Sequence, residues 1–139
     1  DISDIAIETT NINIKKHKLN NINVLKGNIF EDIFANEKYH IVVSNPPYIE
    51  RDTIGNLQTE VSLYEPRLAL DGGIDGLNYY RRIVEVFSKI HENEGVLSVE
   101  IGNMQKEAVE DILMKSGLFK TIETDKDLSG NDRVVVGMT

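Results

Sequence analysis

Apolar and polar positions along the chain fall into two periods. Ile5, Thr9 and Ile12, with Leu19 beyond, recur near helical spacing. Ser3 stands before them as a capping residue, and Asp4 lies in the first turn, where the helix dipole favours an acid. This predicts a helix over residues 4–16, loosening through "KKHKLNN". "INVLKGNIF" (22–30) predicts a short strand through Val24 and Leu25 that ends near Gly27. "YHIVVSN" (39–45) predicts a buried strand with a hard proline stop. Further on, Leu77, Tyr80, Ile83, Val84, Phe87 and Ile90 line one face of a helix, with Arg81, Arg82, Glu85 and Lys89 toward water. "GVLSVEIG" (95–102) is a strand. Asn103 caps a further helix whose stripe is Met104, Ala108, Val109, Ile112 and Leu113, and Gly117 stops it. Residues 118–128 and 133–139 are strands around "SGND", which predicts an antiparallel hairpin.

Strands alternating with helices imply an α/β fold with a mostly parallel sheet, helices on its faces and that hairpin at the C-terminal end. The chain shows no internal repeat, no low-complexity tract and no domain boundary. Residues 49–76 have no sustained period and carry Pro66 and several glycines. A loop this long within a compact domain is usually functional or mobile.

Composition narrows the class. The 139 residues suit one domain. A chain of that size buries about two-thirds of its unfolded surface. No apolar run approaches the roughly 20 residues that span a bilayer. Without cysteine there is neither a disulfide framework nor a thiolate metal site, which fits the cytoplasm. The net charge of −8 gives no electrostatic footprint for gripping a phosphate backbone. His17, His40 and His91 share no ligand spacing, and "DGGIDG" (71–76) does not satisfy a calcium-loop pattern. No metal is expected.

The candidate chemistry sits at "SNPPY". Asn45 ends a strand at the edge where open α/β sheets bind ligands. Its side-chain carbonyl and the Pro46 carbonyl are two acceptors, and neither Pro46 nor Pro47 offers a competing donor. Tyr48 adds a flat ring. The set matches a planar –NH2 group: two acceptors for two hydrogens, and a ring for the π face. Fixing that plane orients a delocalised, weakly nucleophilic nitrogen toward an electrophile, a positioning effect. A plain Asn-Pro turn is the simpler alternative for the dipeptide alone. The proline pair and aromatic ring behind an apolar strand favour the chemical reading.

"VSNPPYIE", "YEPRLALDGGIDGLNYYRRI" (64–83), "VEIGNMQ" (99–105) and "DLSGNDRVVVG" (127–137) together resemble the S-adenosylmethionine-dependent methyltransferases that modify glutamine N5 in peptide chain release factors. The resemblance covers essentially the whole chain. It implies a Rossmann-like methyltransferase fold and methyl transfer to a glutamine side-chain nitrogen. It implies that Asn45, Pro46 and Tyr48 are catalytic, and that with Pro47 and Glu65 they bind substrate. It also implies cofactor contacts from Asp1 (ribose hydroxyls), Asn28 (where the family usually has Asp beside the adenine), Ile29 and Asn45. A ribosomal protein as substrate, or adenine-N6 methylation of DNA or RNA, stand as alternatives.

The fold's usual strand order is 3-2-1-4-5-7-6. By the resemblance, residues 1–139 are a partial catalytic domain. The first strands, the glycine-rich cofactor loop and the N-terminal substrate-binding domain would lie upstream of Asp1. The chain by itself is then expected to bind cofactor weakly or not at all. Its third strand would pair elsewhere or be poorly anchored, and exposed sheet edges would favour self-association.

Overall fold

The structure, a computed structural model, describes residues 1–31, 34, 37–58 and 64–139. The chain divides into two compact units, Asp1–Ala35 and Asn36–Thr139.

The first unit carries helix α1 (Asp4–Lys16). Local chemistry accounts for its bounds. Ser3 Oγ accepts from the Ala6 amide at 3.3 Å, Asp4 lies in the first turn, and Lys15 and Lys16 lie in the last. Each complements the end of the helix where it stands. The predicted apolar stripe is not buried: Ile5 is 77%, Ile12 56% and Leu19 45% exposed, and no residue of α1 is buried. Capping, not packing, set this helix in the sequence pattern.

The strand expected through Val24 and Leu25 does not form. Residues 22–28 are irregular. Asp1 donates its terminal nitrogen to the Leu25 carbonyl at 2.9 Å, and the Gly27 amide donates to the Asp1 carbonyl at 3.0 Å. Those two bonds follow the pattern of one parallel pairing between Asp1 and Lys26. A single residue cannot supply a ladder.

The second unit holds a four-stranded sheet of β1 (Tyr39–Ser44), β2 (His91–Glu100), β3 (Thr121–Lys126) and β4 (Asp132–Met138) in the order β1-β2-β4-β3. β1 and β2 are parallel, and the β2–β4 and β4–β3 pairs are antiparallel. This corresponds to 4-5-7-6 of the expected order. Helix α2 (Arg67–Leu70) and helix α3 (Asn78–Ile90) lie on the crossover between the two parallel strands. Helix α4 (Lys106–Ser116) connects β2 to the hairpin.

The core forms where the apolar face of α3 meets one face of the sheet. Tyr80, Ile83, Phe87, Leu97, Val99, Ile101, Val109, Leu113 and Val135 are nearly inaccessible. Phe87 stacks on Phe119 at 5.4 Å and on His91 at 5.0 Å, which gives His91 a packing role. Gly117 closes α4 with φ of +67°, the left-handed cap that glycine adopts without steric cost.

Three expectations are corrected here. β1 is half buried, not buried, because alternate side chains face opposite sides of the sheet. Val42 sits beside Leu97 on the core face, while Ile41 (64%) and Val43 (73%) are exposed. Helix α4 starts at Lys106 with Gln105, not Asn103, at the cap, so Met104 lies outside it and is exposed. Arg82, expected to face water, is largely covered as it pairs with Glu85.

Candidate functional site

Parallel pairing decides what lies beside "NPPY". Ser44 is opposite Val99, so Asn45 leaves β1 level with Glu100 at the carboxyl end of β2. Two adjacent parallel strands thus end on the same side, where α/β sheets gather their ligands.

Pro46 is buried, Pro47 and Tyr48 are half-buried, and Asn45 is exposed. Among the described residues, neither the Asn45 carboxamide nor the Pro46 carbonyl has a hydrogen-bond partner. Residues 45–48 therefore present acceptors unpartnered among the described residues, on a backbone whose φ angles are fixed at two successive residues.

Tyr48 is held from several directions. Its hydroxyl donates to Glu100 Oε1 at 3.5 Å. Burial raises its pKa, as does the Glu100 carboxylate, while Arg133 opposes both. The phenol is therefore neutral near pH 7. Its carbonyl accepts from Gln105 Nε2 at 2.9 Å. A Cβ built on Gly102 would lie 3.5 Å from the Tyr48 ring, so the ring passes the end of β2 in ordinary contact.

The segment 71–76 packs against this backbone. The Ile49 amide donates to the Leu70 carbonyl at 3.0 Å, and the Gly72 amide to the Ile49 carbonyl at 2.8 Å. A Cβ on Gly72 would stand 2.8 Å from the Tyr48 Cα, and one on Gly76 2.5 Å from the Tyr48 carbonyl oxygen. Gly76 also has φ of +70°. These glycines allow two backbones to touch. The acids of the segment are engaged elsewhere. Asp71 pairs with Arg51 at 3.0 Å, and Asp75 with Arg81 at 2.6 Å. The Gly73 amide and then Arg51 hold Asp71 below the usual carboxylate range. No cluster able to hold a metal occurs among the described residues.

Arg133 closes the far side. It reaches Asp127 at 3.1 Å and donates to the Ile101 carbonyl at 3.2 Å, bracing the turn after β2. Tyr80 donates to the Glu100 carbonyl at 2.9 Å, and burial pushes its phenol pKa far up.

Residues 1–110 match the family described as Eco57I restriction-modification methylase. The chain belongs to that family. Among curated proteins, a release factor glutamine methyltransferase of Thermodesulfovibrio yellowstonii is 40% identical to this chain over 136 residues, covering 98% of this chain and 48% of that protein. A release factor glutamine methyltransferase of Clostridium acetobutylicum is 42% identical to it over 140 residues, covering 99% and 49%. The chain spans about half the length of the curated relatives it matches. These identities bear out the resemblance read from the sequence. A methyltransferase of Pyrococcus furiosus aligns with a TM-score of 0.64 over 99% of this chain and 59% of that one, at 14% identity, which bears on the fold alone. The α/β methyltransferase fold expected from the sequence is the one observed, with its C-terminal antiparallel hairpin, but among the described strands the sheet is mixed and not mostly parallel: one pair is parallel and two are antiparallel.

The expected site residues divide between the units. Asn45, Pro46, Pro47 and Tyr48 follow β1 as one irregular segment in the second. Glu65, also there, is exposed at a bend before Pro66, with no partner among the described residues. Asp1, Asn28 and Ile29 belong to the first unit. One Asp1 carboxylate oxygen accepts from the Ser3 amide at 2.8 Å. The Asn28 side-chain oxygen accepts from the Phe30 amide at 3.0 Å, and Ile29 is half-buried beside it. Gln105, Glu100, Arg133 and the 71–76 segment join the site in addition to the residues expected from the sequence. Their shared position follows from strand pairing, which no local pattern carries.

Proposed function

We propose that the protein containing this chain transfers a methyl group from S-adenosylmethionine to the side-chain amide nitrogen of a glutamine in a peptide chain release factor. One observation carries the reading: the Asn45 carboxamide and Pro46 carbonyl have no hydrogen-bond partner among the described residues and lie on a proline-stiffened segment at the carboxyl end of β1.

The target's two amide hydrogens go to Asn45 Oδ1 and the Pro46 carbonyl. Tyr48 sets its ring against the amide plane, and Pro47 keeps the turn rigid. Glu65 borders the approach of the target. Bound S-adenosylmethionine supplies an electrophilic methyl on a sulfonium sulfur and leaves as the neutral thioether S-adenosylhomocysteine. Asn45 and Pro46 orient the nitrogen lone pair toward that methyl. Held in that way, the amide nitrogen would be placed to take the methyl group and would then give one proton to water. Positioning supplies the chemistry here. The donor set of the first unit is compatible with the cofactor. Asp1 retains one carboxylate oxygen for the ribose hydroxyls, and Asn28 retains its amide hydrogens near the adenine, beside Ile29.

Family membership also covers methylases of nucleic acid, and adenine carries the same kind of planar amine. The net charge of −8 weighs against a phosphate-rich partner. The test offers release factor, ribosomal protein and DNA or RNA together to the full-length protein with labelled S-adenosylmethionine. Label should enter the release factor and fall by about a hundredfold in Asn45→Ala. Label in the nucleic acid instead would overturn the reading.

A further inference from the structure

We propose that Gln105 is the positioning residue that aims the amide-binding turn. The inference rests on the reading above.

Gln105 occupies the cap position of α4, where a short side chain normally accepts from the first helical amides. It does not cap its own helix. Its carboxamide turns the other way and joins separate segments. Nε2 donates to the Tyr48 carbonyl at 2.9 Å and to the Gly76 carbonyl at 3.4 Å. Oε1 accepts from the Gly102 amide at 3.0 Å, and the Tyr80 hydroxyl, whose hydrogen goes to the Glu100 carbonyl, stands 3.3 Å from it. Both amide hydrogens and one acceptor site are therefore engaged. The turn after β1, the 71–76 segment, the end of β2 and the buried face of α3 meet on one half-buried group.

The arrangement transmits orientation to the acceptors. Between the Tyr48 carbonyl that Gln105 holds and the Pro46 carbonyl that receives substrate, the peptide planes are rigid. Pro47 φ is fixed by its ring. Pro47 ψ and the two Tyr48 torsions remain soft. Anchoring the Tyr48 carbonyl constrains them, so Gln105 sets where the Pro46 carbonyl points without touching substrate. Its effect belongs in the chemical step.

The test uses the full-length protein, labelled S-adenosylmethionine and purified release factor. Gln105→Glu keeps the length and the acceptor but faces the Tyr48 and Gly76 carbonyls with an anion. At pH 8 its kcat should fall by about a hundredfold, with KM for release factor changed less than about threefold. Burial against carbonyls favours the protonated acid, which restores one donor. The variant's kcat relative to wild type should therefore rise as pH is lowered from 8 to 6. Gln105→Met should lose kcat similarly and recover nothing at pH 6. Circular dichroism melts establish that both variants are folded at the assay temperature. Either folded variant keeping kcat within about twofold of wild type would overturn the assignment. So would a Gln105→Glu deficit equal at the two pH values, or a loss carried by KM. Failure of the underlying reading is seen separately, in a wild-type protein that does not label the release factor.

Discussion

Replacing Gly72 by alanine tests whether the 71–76 segment seats the 45–48 segment proposed to hold the target amide. The new Cβ would stand 2.8 Å from the Tyr48 Cα and 2.9 Å from the Cα and carbonyl oxygen of Gly76. All three are backbone atoms, so no flexible side chain can swing aside. Reaching an ordinary 3.4 Å contact requires the two backbones to part by about 0.6 Å. Overpacking of this kind costs about 1–3 kcal/mol. Gly117→Ala is the matched control. It forces a side chain into φ of +67° at the end of α4 but meets nothing within 4 Å. That strain costs about 1–2 kcal/mol. Both variants should shift urea unfolding of the full-length protein by similar amounts. They should differ in chemistry. A misplacement near 1 Å costs about a hundredfold, so an opening of about 0.6 Å in Gly72→Ala should lower kcat roughly tenfold. Gly117→Ala should leave kcat unchanged. A destabilised Gly72→Ala protein with wild-type kcat, or equal loss in both variants, would refute the coupling of this segment to the site.

Two further outcomes follow from the same geometry. Tyr48→Phe removes a hydroxyl whose partner is 3.5 Å away, so kcat should change by no more than about twofold, whereas Tyr48→Ala should lose far more in the same labelled assay. Asp71 has a pKa lowered in the folded chain by the Gly73 amide and then Arg51, so its contribution to stability is present above its unfolded value near about 4 and is lost as pH falls through the folded value. Thermal melts should therefore show a larger fall from pH 5 to pH 3 in wild type than in Asp71→Asn, with equal falls contradicting the assignment.

By itself, the sequence determined what depends on neighbours along the chain. The limits of α1 follow from Ser3, Asp4 and the closing lysines. The buried face of α3 follows from apolar residues every three or four positions, and the end of α4 from Gly117. The stop at Asn45-Pro46-Pro47 drew attention to the turn because two lost donors are an unusual choice beside a strand. Tertiary structure decided everything that depends on which strand lies next to which. Residues 22–30 carry a strand-like pattern, yet residues 22–28 are irregular, because a strand exists only where a partner supplies the other half of each hydrogen bond. Ile41 and Val43 look like core in sequence, yet alternation along β1 turns both to the face opposite Val42, where they stand exposed. Gln105 stands 57 positions from Tyr48, and its role becomes visible only when parallel pairing of β1 with β2 brings their carboxyl ends together. A hydrogen bond is decided within about 3.5 Å, and no periodicity in a sequence records which distant residues a fold will bring that close.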